Sequence, residues 1–241
     1  MKVFDCHTHA VNNFEAYNLS IVGKNVIFNY LDEYLAYQES NPADSASLIF
    51  DFKSEENLKK IKELHDEGQI EALKIHSRIL KIDESDYPYL FDSLKLFDPK
   101  VPIIYDGFYY GSDIEYRPRL EKLIELTRMY PKLPIIVAHS GGYEILKYFL
   151  HLMKIENIYY DLSLSLQYFH DSSLYLDFKK LIKFSNRNKI MFGSDFIDGN
   201  PRNQFEILQT MFDELSLPLG DRLNINYNNA YNLFKAKKYG F

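Results

Sequence analysis

Short apolar runs rich in β-forming residues alternate with longer stretches of helical periodicity, and this alternation constrains the fold of the chain more than any other feature. Eight runs have the composition of buried strands, namely residues 3–4, 26–28, 47–50, 72–75, 101–105, 134–138, 157–160 and 189–192. The second run is the least distinctive, because its apolar residues would also suit a helix.

Helical spacing of apolar residues fills the stretches between most of these runs. The predicted helices cover residues 55–67, 119–130, 143–153, 174–184 and 204–215. Ser54 is a suitable N-cap for the first of them, and Gly68 is a suitable residue to end it. Strands that alternate with helices indicate a parallel sheet with helices packed outside it.

The fold class that we predict is α/β, a (β/α)₈ TIM barrel that forms a single domain over residues 1–241. Eight strand–helix units in 241 residues suit this fold, which typically needs about 250 residues. An open doubly wound sheet is the alternative, but no Gly-x-Gly-x-x-Gly turn follows the first strand. No repeat or Pro/Gly-rich linker marks an internal domain boundary.

Composition excludes several classes of partner. The net charge of −6, without a basic arm, argues against nucleic acid, and no apolar stretch is long enough to span a membrane. Because Met1 and Lys2 lead directly into the first strand, we expect no signal peptide and a cytoplasmic protein. The expected partner is a small-molecule substrate, and the 20 tyrosines are compatible with a homodimer.

Polar residues follow the predicted strands at their carboxyl ends, which is where a (β/α)₈ barrel builds its active site. His7 and His9, one residue apart after the first strand, would point the same way and could hold one metal ion. The later strand ends add further candidates: Lys74, His76, Arg78, Asp106, His139, Asp161 and Asp195.

These groups could support metal-assisted attack by water. Imidazole and carboxylate groups are suitable ligands for Zn²⁺, Mn²⁺ or Fe²⁺. Asp195 could bind the ion and accept a proton, and His139 could polarise or protonate the substrate. Arg78 could hold a substrate carboxylate by a two-point contact.

Each of these residues also has a structural interpretation. His76 and His139 could be hydrogen-bonded core histidines, and Asp195 could be a helix N-cap or turn residue. Lys74 could line the pocket or pair with a carboxylate. For Asp161 we expect a structural role, in which it bonds loop backbone.

Six segments of the chain, in order, resemble the metal-dependent amidohydrolase superfamily, in particular its branch that includes aminocarboxymuconate-semialdehyde decarboxylase. They are residues 4–9, 72–76, 133–142, 157–163, 190–195 and 228–234. The resemblance implies that His7, His9 and Asp195 bind a metal ion and that Asp195 also activates water. It makes His139 a catalytic histidine or a ligand of a second ion.

One position departs from the family pattern. Members usually carry a histidine at the end of strand five, where this chain has Asp106. We expect Asp106 to complete the ligand set of one divalent ion, with zinc favoured and manganese or iron as alternatives. A second ion would require carboxylation of Lys74, and loss of the metal is the other interpretation of Asp106.

The function that these residues favour is hydrolysis of an amide, lactone or ester of a small polar substrate. The predicted substrate-binding residues are Lys74, His76, Arg78 and Arg202, and the loops over residues 10–26 and 108–118 would shape the pocket. Non-oxidative decarboxylation on the same site is the alternative, with Arg78, Arg119 or Arg202 as the anchor of the carboxylate. A further alternative is an inactive barrel that serves as a binding module.

Overall fold

Eight parallel strands form one sheet in the computed structural model, which describes residues 2–9, 21–37, 44–112, 114–196 and 198–235. All eight predicted strands are present, and the second is a strand rather than part of a helix. The strands are β1 Val3–Thr8, β2 Ile21–Phe28, β3 Ser45–Ile49, β4 Ala72–Ile75, β5 Ile103–Asp106, β6 Ile135–Ala138, β7 Ile158–Asp161 and β8 Ile190–Met191.

Ten α-helices lie among the described residues. They are α1 Leu31–Tyr37, α2 Glu55–Asp66, α3 Tyr87–Leu94, α4 Leu120–Met129, α5 Ile145–Leu152, α6 Ser165–Phe169, α7 Leu174–Phe184, α8 Pro201–Glu214, α9 Leu219–Leu223 and α10 Asn229–Phe234. The predicted cap of α2 is confirmed, because the Ser54 side chain accepts a hydrogen bond from the Asn57 backbone. Gly68 follows α2 with a φ of 68°, a conformation that favours glycine.

The strands follow one another in sequence order around a nearly closed barrel, which confirms the predicted fold. Backbone hydrogen bonds bring β1 against β8 and the residues after it. Cys6 donates to the carbonyl of Phe192 at 3.0 Å, and Asp195 donates to the carbonyl of His7 at 2.7 Å. The first and last strands therefore meet at the point where two candidate metal ligands lie.

Alternate residues along each strand enter two different apolar clusters, as expected when strand side chains alternate in direction. Leu73, Ile103 and Ile135 pack with the helices in the larger cluster. Their sequence neighbours Ala72, Ile104 and Ile136 belong to a smaller cluster inside the barrel, which the end of α10 joins through Ala230, Leu233 and Phe234. The rings of Phe4 and Phe234 stack with centroids 6.1 Å apart.

Helix α8 begins earlier than the periodicity predicts, at Pro201 instead of residue 204. Asn200 caps it by accepting a hydrogen bond from the Asn203 backbone at 3.0 Å, and proline suits the first turn of a helix. In the part of the chain that the structure describes, no helix combines the length and hydropathy required to cross a membrane.

Candidate active site

Three predicted metal ligands converge at the carboxyl ends of β1 and β8. The Nε2 atoms of His7 and His9 lie 3.3 Å and 3.4 Å from the same carboxylate oxygen of Asp195. One donor atom from each residue lies within 4.8 Å of the others. We call these three residues the triad.

His7 is held in one orientation by a second carboxylate. Its Nδ1 atom lies 2.9 Å from Oδ2 of Asp161, so Nδ1 carries the hydrogen and the Nε2 lone pair faces Asp195. Burial and, secondarily, the positive charge of Lys74 lower the pKa of His7 to about 4. The ring is therefore neutral at neutral pH, which is the form that binds a metal ion.

A different hydrogen-bond acceptor orients His9, again through its Nδ1 atom. Its Nδ1 atom lies 2.8 Å from the backbone oxygen of Ile27. Because a carbonyl oxygen only accepts, Nδ1 must be the donor and Nε2 is left with its lone pair toward Asp195. The hydrogen-bond partners of both histidines thus select the nitrogen that could bind an ion, as in many metal sites.

Asp195 is ionised at neutral pH. Burial raises the pKa of its carboxyl group, but the neighbouring His139, His7 and His9 lower it more, so that the pKa lies well below the usual range. The backbone of Asp195 has a φ of 56°. Such left-handed backbone is uncommon outside glycine, although Asp tolerates it better than most residues.

His7, His139 and Asp161 form a second cluster of side chains with ligand atoms close together. Hydrogen bonds to Asp161 explain why these three side chains lie close together. Besides the contact with His7, Asp161 accepts backbone hydrogen bonds from His139 and Ser163, each at 3.0 Å. Bonding of loop backbone was the role predicted for Asp161, but its contact with a candidate metal ligand was not foreseen.

Asp106 has partners other than the triad. Its Oδ2 atom lies 3.2 Å from Nε2 of His76 and 3.8 Å from Nζ of Lys74. The backbone of Ile79 donates to Nδ1 of His76 at 3.3 Å, so Nε2 of His76 is the donor to Asp106. Burial raises the pKa of Asp106, but His76, His139 and Lys74 lower it well below its usual range.

Asp106 lies apart from the other three predicted metal ligands. Among the described residues the structure brings together His7, His9 and Asp195, whereas Asp106 is not a member of either cluster of ligand atoms. The ammonium group of Lys74 lies 3.3 Å from Nε2 of His7 and contacts Asp106 as well. An acidic residue at the end of β5 is thus used to balance a buried lysine.

His139 presents its Nε2 atom toward Asp106, at 4.0 Å. Its Nδ1 atom lies 3.2 Å from the backbone oxygen of Ser163, which only accepts, so Nδ1 carries a hydrogen. Nε2 is therefore the ring nitrogen that can exchange a proton with a bound substrate.

A cavity of about 390 Å³ opens over these groups, within the range typical of small-molecule sites. Seven predicted site residues line it, namely His9, Lys74, His76, Arg78, Asp106, His139 and Asp195. His7 is fully buried beside them. The cavity is also lined by residues that the sequence did not single out. Asn29 is one of them, and it directly follows β2.

Two predicted anchors of a substrate carboxylate lie elsewhere. Arg202 belongs to α8 rather than to a loop, and its exposed guanidinium bonds Glu206 at 2.8 Å. Arg119 pairs with Glu84 at 3.2 Å. Neither residue lines the cavity. Residues 10–20 of one predicted pocket loop, and Asp113 of the other, lie outside the described residues.

Comparison with protein families identifies the chain. A family model described as amidohydrolase matches residues 111–236, just over half of the sequence. The chain belongs to the amidohydrolase family. The matched region includes His139, Asp161 and Asp195, whereas His7 and His9 come before it. No curated protein matches the chain significantly.

Solved structures share the fold of this chain at low sequence identity. An uncharacterised TIM-barrel protein of Bordetella bronchiseptica is 14% identical, with a TM-score of 0.76 and coverage of 97% of this chain and 98% of its own. The 2,6-dihydroxybenzoate decarboxylase of Rhizobium is 13% identical, with a TM-score of 0.66 and coverage of 98% of each chain. Dihydroorotase of Campylobacter jejuni is 16% identical, with a TM-score of 0.66 and coverage of 99% and 84%.

The triad has the chemistry required for the divalent cation that the family implies. It offers two imidazole nitrogens and an ionised carboxylate, a set that Zn²⁺, Mn²⁺ and Fe²⁺ all accept. Outer hydrogen bonds from Asp161 and Ile27 hold both rings in the required tautomer. The side chains of His9 and Asp195 also line the cavity, so a substrate could reach an ion held there.

Proposed function

We propose that this protein is a metal-dependent hydrolase that acts on an amide, lactone or ester of a small polar molecule. The observation that carries the proposal is the triad, in which His7 and His9 direct their Nε2 lone pairs at one oxygen of Asp195. His7, His9 and Asp195 would hold one divalent cation, with zinc favoured. When bound, such a cation supplies Lewis-acid chemistry, because it polarises a carbonyl group and makes coordinated water more acidic.

Asp195 is the proton acceptor in this proposal. Its carboxylate is ionised and reaches the cavity. As water adds to the carbonyl carbon of the substrate, Asp195 takes a proton from it. The bond to the leaving oxygen or nitrogen then breaks, and the same proton passes to that atom.

His139 stabilises the oxygen that gains negative charge. The backbone oxygen of Ser163 holds its Nδ1 hydrogen, and the carboxylate of Asp106 lies 4.0 Å from its Nε2 atom. A protonated Nε2 would donate a hydrogen bond to the developing oxyanion, which is the kind of stabilisation that contributes most in acyl transfer.

Decarboxylation of a small carboxylic acid at the same site is the second candidate. It is supported by the structural likeness to the Rhizobium decarboxylase, which extends over nearly the whole of both chains. The two reactions differ in their products. A hydrolase cleaves neutral esters, lactones or amides, whereas a decarboxylase releases CO₂ from an acid and leaves neutral substrates unchanged.

The proposal is tested by metal analysis together with an activity screen. Protein purified without chelators should contain about one divalent ion per chain, and His9→Ala should lose the ion and the activity. His151→Ala is the matched control, because His151 is an exposed histidine on α5. A wild-type chain without stoichiometric metal or activity on either substrate class would instead support the inactive binding module.

A further inference from the structure

Arg78 is a cation in the cavity wall that forms no ion pair with any described residue. It lies three residues after β4 and lines the same cavity as His9 and Asp195. Within that part of the chain no carboxylate oxygen approaches its guanidinium within 4.0 Å, and its buried Nε atom has no hydrogen-bond partner. By contrast, Lys74 in the same cavity contacts Asp106.

A tyrosine ring covers one side of this guanidinium. The central carbon of Arg78 lies 4.4 Å from the ring centroid of Tyr110, the distance of a cation–π contact. Among the described residues the N–H groups of this guanidinium donate no hydrogen bond, so they are available to another group. Arginine uses these groups to bind carboxylates by two parallel hydrogen bonds.

We propose that Arg78 and Tyr110 form a subsite for a carboxylate group of the substrate, distinct from the group that reacts beside the triad. The inference rests on the proposed function, since it assigns the reacting group to the triad. Arg78 forms no ion pair with Asp195, so the two positions are beyond direct contact. A substrate that occupies both must carry an anionic group and a separate reactive group.

Charge balance favours a monocarboxylate over a phosphate. Apart from its histidines, the cavity is lined by three carboxylates and two cations, namely Asp106, Asp195, Asp198, Lys74 and Arg78. A divalent cation at the triad would change this net charge from −1 to +1, and one carboxylate would neutralise it. A phosphate dianion would leave an excess negative charge in a partly enclosed site.

The test measures binding of acetate and benzoate to the zinc-loaded protein by calorimetry, with benzamide as the neutral counterpart of benzoate. Arg78→Met should weaken binding of at least one of the two carboxylates by about tenfold or more, because it removes a charge-assisted contact. It should leave benzamide binding and zinc content unchanged. Arg78→Lys should retain part of the affinity, and Arg202→Met, an exposed arginine outside the cavity, should retain all of it.

Three results would overturn the subsite. The first is equal affinity of wild type and Arg78→Met for both carboxylates. The second is carboxylate binding that survives in Arg78→Met but disappears when zinc is removed, which places the carboxylate on the ion. The third is inorganic phosphate that binds more tightly than either carboxylate with the same dependence on Arg78. Failure of the proposed function would differ from all three, since it would appear as absence of stoichiometric metal or activity in the wild type.

Discussion

The carboxylate of Asp161 accepts a hydrogen bond from Nδ1 of His7 at 2.9 Å, although the two residues lie on β7 and β1. Because this contact engages Nδ1, Nε2 is the nitrogen of His7 that faces the cavity side of the barrel. A residue that does not line the cavity therefore determines whether His7 can act as a ligand.

Asp161→Asn should lower zinc affinity by about 10- to 100-fold, the range found when outer hydrogen-bond partners of metal ligands are removed. The asparagine oxygen can still accept from the backbone of His139 and Ser163, so the loop after β6 is preserved. The asparagine amide would present a donor to His7 and favour the tautomer with a hydrogen on Nε2. Competition titration with a chromophoric chelator measures the change, and unchanged affinity would contradict it.

Asp106→Asn should retain the metal ion but destabilise the fold. The substitution leaves Lys74 as a buried cation without its carboxylate, which we expect to reduce the free energy of unfolding by about 3 kcal/mol. Urea denaturation of the metal-free protein measures this change. Asp198→Asn, an exposed carboxylate of the same cavity, is the control and should have little effect. Loss of the ion in Asp106→Asn would instead support the prediction that Asp106 is a ligand.

Gly193→Ala should disturb the triad from within the barrel wall. A Cβ atom at Gly193 would lie 2.9 Å from Cβ of Ser163 and 3.0 Å from Cβ of His7, which is closer than these atoms can pack. We expect a loss of about 1–3 kcal/mol in the free energy of unfolding together with weaker zinc binding. Gly220→Ala is the matched control, because no atom lies within 4 Å of its added Cβ.

Phe234→Ala should destabilise the barrel without altering the cavity. The ring of Phe234 is buried and stacks on Phe4 inside the barrel, so its removal leaves a void. The expected loss is about 3–5 kcal/mol, measured by thermal or urea unfolding of the metal-free protein. Leu219→Ala truncates an exposed side chain and should have almost no effect. A loss below about 1 kcal/mol for Phe234→Ala would mean that α10 contributes little to the core.

Sequence patterns predicted the barrel and much of the site for one physical reason. The carboxyl ends of parallel strands meet on one face, so residues that follow separate strands, such as His9 and His139, line one cavity. The order of the strands alone could not predict which ion-pair or hydrogen-bond partner each residue of the cavity contacts. Asp106 contacts Lys74 and His76 because β4 is its neighbour in the sheet, and this depends on side-chain packing as well as on topology.

Two other differences between the prediction and the structure could have been recognised from the sequence. Asn200 followed by Pro201 is a common helix start, and it places Arg202 on α8. A firm assignment of β2 would have made Asn29, the next residue, a candidate for the cavity wall. No local pattern indicates that Asp161 orients His7, because that contact joins strands that are far apart in sequence.

The backbone hydrogen bond from Asp195 to His7 joins the last part of the barrel to its first strand. Closure of the barrel and assembly of the triad are thus a single structural event, which an unfolded chain cannot reproduce. A cation that binds only the closed state adds to folding stability by mass action, about 2.7 kcal/mol at a free concentration one hundred times its Kd. The supply of metal would then control how much of the protein is folded, as well as how much of it is active.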